Sequence, residues 1–369
     1  MKRMISLMLV CLLLLCGCSQ PATEETTQPT QETQASTDSD TLRLTQESNV
    51  RKATYEDKTA YTDFLAQAEK LFIIPGLKQV LTPQGIAVCP TTGRTYISSY
   101  CVDGLPSVIT VNEAETHELV AEYYLYHEDG TPFESHVGGV AVTDSHLYVS
   151  ETMDSDGSYR IAAIPLTELP AEGAHNVIVT ETIPMAVSPS MMNYSGGYLW
   201  VGNFYHPKAD YVLSSNMNYT TTAADGSEYG CYILGFDMSE GHQCLTGAEP
   251  FPMPDVILAA PDRIQGMTLS GSNKVVLSQS YGRANDATLM IYDLDLSAEA
   301  DLTLTLQDQE IPAYLLDGDR MVQSLNSIPM TEGLSAGRDG RVLVLYESGA
   351  IRYEDGKHRT SYVWALTVE

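Results

Sequence analysis

The stretch Glu332-Gly333-Leu334-Ser335-Ala336, a turn at Arg338-Asp339-Gly340, then Arg341-Val342-Leu343-Val344-Leu345-Tyr346-Glu347-Ser348 decides the architecture. Two short apolar runs flank an Asp-Gly pair, which is how a β-hairpin reads. The phrase recurs upstream. Gln84-Gly85-Ile86-Ala87-Val88 is followed, across a Thr-Thr-Gly turn, by Thr95 to Tyr100. Gly138-Gly139-Val140-Ala141-Val142 is followed by Leu147-Tyr148-Val149-Ser150-Glu151, and Gln265-Gly266-Met267-Thr268-Leu269 by Val275-Val276-Leu277-Ser278-Gln279. A degenerate copy runs from Pro189 to Asn203.

The second strand of each copy is apolar at consecutive positions, as in Val342 to Leu345, so both of its faces need cover. Similar sheets stacked around an axis supply that cover, and a closed ring leaves none without a neighbour. The Gly near each hairpin start suits a place where backbones crowd. The expectation is therefore an all-β fold: a single β-propeller of five blades, or six if a decayed copy lies in 310–326 or in the insertion at 204–230.

The chain has 369 residues, enough for one large β domain, and a formal charge of −28. Without Lys2 and Arg3 of the leader, 48 acids face 18 bases, giving −30. So acidic a surface repels phosphate backbones and anionic head groups, which excludes nucleic acid as a general partner.

Residues 1–17 read as a signal peptide: basic Lys2 and Arg3, then an apolar run from Met4 to Leu15. Its end, Leu15-Cys16-Gly17-Cys18, resembles the bacterial lipoprotein signal. That resemblance implies lipidation of Cys18 by acyl chains such as palmitate. The expected place is the outer face of the cytoplasmic membrane or another envelope membrane. Residues 18–46 are Thr, Gln, Glu, Ser and Pro with few large apolar side chains, the composition of a disordered tether. Residues 47–82 are assigned a helix over about 55–70, from the spacing of Tyr61, Phe64, Leu65 and Ala68, and a ring-closing strand over 72–81. The propeller takes 83–369.

The words Pro-Gln-Gly-Ile-Ala (83–87), His136-Val137-Gly138-Gly139-Val140-Ala141 and Thr331-Glu332-Gly333 with Tyr346-Glu347-Ser348-Gly349-Ala350 carry a family likeness. From residue 72 onward the chain resembles propeller lipoproteins of bacteria and, more distantly, gluconolactonase-like and strictosidine-synthase-like propellers. The gluconolactonase-like enzymes hold a divalent metal at the propeller mouth through a Glu and an Asn/Asp set. Here Gln84 stands where a Glu would be expected.

Starts of first strands and ends of second strands share one face of a propeller. That gathers Gln84, His136, Ser190, Gln265 and Glu332 near Tyr100, Glu151, Asn203, Gln279 and Glu347, with Arg263, Tyr281 and Arg283 beside them. Such a ring suits a polar small molecule, a glycan or a protein partner. Glu151, Asn203, Glu332 and Glu347 are candidate oxygen ligands for a divalent cation. Glu332 and Glu347 are a candidate acid/base pair whose separation decides their use, and His136 is a candidate base. No zinc-protease, phosphate-loop or nucleophile-elbow motif occurs, which favours binding over the alternative, a hydrolase or lyase acting on a lactone, ester or glycan. The insertion 204–230, rich in Tyr and Asn, leaves from the same face and reads equally as a recognition loop or as ornament. A monomer is expected.

Cys89, Cys101, Cys231 and Cys244 are expected as free thiols. Cys89 and Cys101 sit near opposite ends of one hairpin, about 20 Å apart at ~3.3 Å per residue. The pairings compatible with one face would be Cys101 with Cys231 and Cys89 with Cys244.

Overall fold

The computed structural model describes residues 39–102, 104–151, 158–271 and 273–368. The leader, Cys18 and the tether up to residue 38 lie outside the described residues. The structure is a five-bladed β-propeller, so the six-blade alternative falls away. The first strands of the five recurring hairpins are the innermost strands: Thr82–Val88, Val140–Val142, Met191–Ser195, Ile264–Ser270 and Thr331–Ala336. They pack against one another around the axis, and each heads one blade.

The repeated Gly is explained at the axis. A methyl group at Gly333 would stand 2.8 Å from the Ile86 amide nitrogen and 3.0 Å from Gly85 Cα. One at Gly139 would stand 2.7 Å from the Met192 amide nitrogen. Backbone meets backbone there, and no side chain fits between. The Ser of the second strand completes the joint. Ser98 Oγ accepts from the Gly85 amide at 3.0 Å and donates to the Val137 carbonyl of the next blade at 2.8 Å. Ser278 Oγ likewise reaches the Glu332 carbonyl at 2.6 Å. The repeat therefore encodes both the close approach and the hydrogen bond that fastens neighbouring blades. The hydrophobic core lies between the blade faces; Trp200, Tyr123, Tyr148, Tyr292 and Tyr346 are almost wholly buried.

The outer strands depart from the sequence reading. Blade two is completed by Glu181–Met185 and blade four by Met321–Ser327. The segment 310–326, held open as an extra connection or a sixth blade, thus splits between two roles. Leu302–Leu306 and Gln309–Leu315 form a hairpin that extends blade three, the latter strand running parallel to Val256–Ala260. Gly173–Val179 extends blade one in the same way, parallel to Leu119–His127.

Ring closure comes from Ala68–Ile73, paired antiparallel with Tyr362–Leu366. The closing strand thus lies ahead of the 72–81 span expected from sequence, and the helix is shorter than expected. A 3-10 turn at Thr59–Tyr61 leads into an α-helix over Thr62–Gln67 only. Tyr61 and Phe64 are buried, with Phe64 packed on Trp364 at a ring-centroid distance of 5.4 Å. From Ala68 the unpaired edge of the last strand offers a ladder of backbone partners, and that outweighs the helical preference of Ala-Glu-Lys, three good helix formers. The end of the expected tether is also held down. The Arg43 and Leu44 amides donate to the buried Glu122 carboxylate at 2.7–3.1 Å, and the Gln46 side chain bonds Ile73, His117 and Leu119.

Cys89, Cys101, Cys231 and Cys244 are all free, and neither pairing forms. Among the described residues no helix is long and apolar enough to cross a membrane.

Candidate functional site

The predicted ring converges on a funnel of about 800 Å³. Gln84, His136, Glu151, Ser190, Gln265, Tyr281, Arg283, Glu332 and Glu347 all line it. The backbone enters the inner strands through left-handed residues: Val137 with φ 45°, Arg263 with φ 60° and Met330 with φ 61°. A β-branched or long side chain rarely adopts that region, and here it turns the chain from one blade to the start of the next.

The most unusual chemistry lies in Glu332 and Glu347. Glu332 is buried, at 4% exposure, and its carboxyl shares a hydrogen bond with that of Glu347. Burial, and then the neighbouring Glu347 charge, push the Glu332 carboxyl well above the usual carboxylate range. Glu347 is raised too, again chiefly by burial. Hydrogen bonds from Tyr353, Gln84 and Glu332 and the Arg352 charge act against that rise. Gln84 Nε2 donates to Glu347 Oε2 at 2.8 Å. Two like carboxyls in this contact cannot both ionise cheaply, so they hold one proton between them.

Beside the pair stands an aromatic and cationic group. Tyr100 stacks on His136 with ring centroids 4.6 Å apart, and Arg352 Nη1 donates to the Tyr100 hydroxyl at 2.9 Å. The walls around His136, and then the Arg352 charge, hold its imidazole below the ordinary histidine range, although the ring stays open to funnel water. His136 is accordingly neutral near pH 7. Arg283 lies over the Tyr353 ring at 4.8 Å and is fixed by Asp355 at 2.9 Å.

Four nominated residues serve other ends, among them Arg263, which pairs with Asp262 at 3.2 Å and stays outside the lining. Asn203 is a correction: it is buried, donates to the Gly230 carbonyl at 3.0 Å and accepts from the Tyr232 amide at 2.7 Å. Both ends of its amide frame the insertion, so it neither lines the funnel nor offers a metal its oxygen. Gln279 turns to the Asp262 carbonyl at 2.8 Å and stays outside the lining. Tyr100 stands behind His136 and supports the wall. With Asn203 spent, the four candidate oxygen ligands are reduced to three carboxylates, and among the described residues no cluster of three acidic, His or Cys ligands forms at the funnel.

The insertion divides by function. Phe204, Asp210, Tyr211 and Val212 form one wall of the funnel, and Tyr211 and Val212 are 48% and 73% exposed. Tyr281 meets Tyr211, Phe204 and His206 in an aromatic cluster with centroids 4.6–6.3 Å apart. Farther on, Met217 is buried in the core between blades two and three, and Asn216 bonds the Ala186 carbonyl, so that half is packing. Tyr353, Tyr159 and Met330 also line the funnel, outside the positions that the repeat marks. Tyr353 follows the fifth hairpin in a 3-10 turn at Ile351–Tyr353, outside the repeated phrase that singled out the other positions.

No protein-family model matches the chain, and no curated protein sequence matches it. Several solved structures bear a partial likeness to it. One is a putative oxidoreductase (glucose dehydrogenase) from Thermus thermophilus, with TM-score 0.40 and 14% identity, over 82% of this chain and 99% of that one. Another is a glucose dehydrogenase, with TM-score 0.38 and 12% identity over the same shares. Hydrazine synthase from Kuenenia stuttgartiensis matches with TM-score 0.34 and 14% identity, over 73% of this chain and 57% of that one.

Proposed function

We propose that this chain is an exported lipoprotein, anchored through Cys18, whose propeller binds a polar, hydroxyl-rich small molecule or the end of a glycan in its funnel. The observation that carries the reading is the hydrogen-bonded Glu332–Glu347 pair, facing an aromatic wall across a cavity of about 800 Å³. Hydroxyl groups need both donors and acceptors, and Gln84, Glu347, Glu151, Gln265 and His136 supply them. Tyr211 and Tyr281 add flat apolar faces suited to the C–H side of a sugar ring.

The hydrolase or lyase alternative would use the same funnel, and no spaced catalytic motif in the sequence favours it over binding. The test is a saturation-transfer NMR screen of the chain against monosaccharides and short oligosaccharides. Binding is expected in the wild type, weakened about tenfold or more in Glu347→Ala and Tyr211→Ala. A wild type that binds none of them, or variants that bind as well, removes the reading. Cys18→Ala is expected to move the chain from the membrane fraction to the soluble one.

A further inference from the structure

We propose a zinc site on the face opposite the funnel, at the seam of blades two and three, made by His146, Glu181 and His242. His146 opens the second strand of blade two, Glu181 opens its outer strand, and His242 lies in the 3-10 turn Gly241–Leu245 of blade three. Second strands end at the funnel, so their starts, and the turns after third strands, belong to the far side. The site is therefore separate from the proposed ligand funnel.

One ligand atom from each residue lies within 4.8 Å of the other two. His242 Nε2 is 3.0 Å from Glu181 Oε1. Tetrahedral zinc, with bonds of about 2.0–2.1 Å, sets its ligands roughly 3.3 Å apart, so the Glu181–His242 pair is already near that spacing and the His146 atom, within 4.8 Å, has to close on it. The remaining ring nitrogens are engaged. His242 Nδ1 meets the Tyr148 hydroxyl at 3.0 Å, and His146 Nδ1 meets Ser145 Oγ at 2.9 Å. The Tyr148 hydroxyl on Nδ1 fixes the His242 ring and directs its Nε2 toward the metal, the arrangement an outer partner gives to a zinc-bound imidazole, whereas the His146 ring gives up its Ser145 contact on binding. The two rings stack at 4.0 Å with an 18° interplanar angle, so closure needs the His146 ring to turn about its Cβ–Cγ bond. Its partly exposed position allows that. Two imidazoles with one carboxylate suit zinc better than magnesium or calcium, which prefer all-oxygen sets. The fourth position is left to water or to a group from another molecule.

The experiment is equilibrium dialysis of the full untagged chain, stripped with chelator, against zinc chloride, with metal measured by mass spectrometry. One zinc per chain is expected, with a melting temperature that rises with zinc. Glu181→Gln and His242→Gln should each weaken binding at least tenfold, and Tyr148→Phe by about tenfold. Glu181 is partly exposed, so its variant keeps the metal-free melt of the wild type, and lost binding then reports a lost ligand. Cobalt(II) in place of zinc should give visible absorption of tetrahedral intensity. The proposal is overturned if the wild type takes up no stoichiometric zinc. It is equally overturned if the variants bind as the wild type does, which would make His242–Glu181 an ordinary ion pair and the bound ions a property of the acidic surface.

Discussion

A single methyl group tests the axis. Gly333→Ala sets a carbon against the Ile86 amide and Gly85 Cα, backbone that cannot swing aside. The expected loss is about 1–3 kcal/mol by urea denaturation, the usual cost of overpacking. Gly318, exposed with nothing within 4 Å of an added Cβ, should accept Ala with little change. Equal effects at the two positions would contradict the close-packed axis. The carboxyl pair gives a pH test. Folded-state values for Glu332 and Glu347 lie above the unfolded value near 4.5, so the folded chain binds the extra proton. That contribution is full below about pH 4.5 and is lost as pH rises through the raised values. In Glu332→Gln the amide replaces the shared proton. Its melting temperature should fall less steeply than the wild type's between pH 5 and 8, and parallel profiles would refute the shared proton. What was legible at this scale followed the repeat. Gln84, His136, Gln265 and Glu332 stand at starts of first strands and Glu347 at the end of a second strand, and those places share a rim. Asn203 holds such a place too, but the insertion behind it leaves the Gly230 carbonyl and Tyr232 amide to be satisfied, and those local demands take its side chain.

At the scale of elements, the inner hairpins were readable because Gly, turn residues and consecutive apolar side chains all mark them. Outer strands lack those marks. Met321–Ser327 is largely exposed and polar, and only Leu325 and Ser327 are buried. Its strand character comes from the free edge of Ala287–Asp293, a tertiary cause that a local window does not contain. The His146, Glu181 and His242 group was hidden for a related reason: its members are far apart in the chain and meet only when blade three docks on blade two. The closing strand is the element whose loss should matter most. Phe72, 6% exposed, packs with Ile74, Leu345 and Val363. Phe72→Ala should cost about 3–5 kcal/mol in denaturant unfolding. A loss below about 1 kcal/mol would mean that the strand contributes little to closure.

For the whole molecule, the dominant long-range quantity is charge. The chain carries forty-eight acids against twenty bases, and most of these acids belong to the propeller. Their mutual repulsion destabilises the folded state and is screened over about 8 Å at 0.15 M salt. Raising sodium chloride from about 0.01 to 0.3 M should therefore lift the melting temperature by about 2–4 °C. A fall over that range would indicate that the surface pairs, such as Arg94 with Glu113 at 2.8 Å, outweigh the repulsion.

The pairing of Ala68–Ile73 with Tyr362–Leu366 imposes an order of events during biosynthesis. The first of these strands emerges long before the other. Through that whole interval a row of amide and carbonyl groups waits without its neighbour, able to join a stranger's strand instead. Until Tyr362–Leu366 arrives, the chain is an open fan and stands at its greatest risk of sticking to other copies of itself.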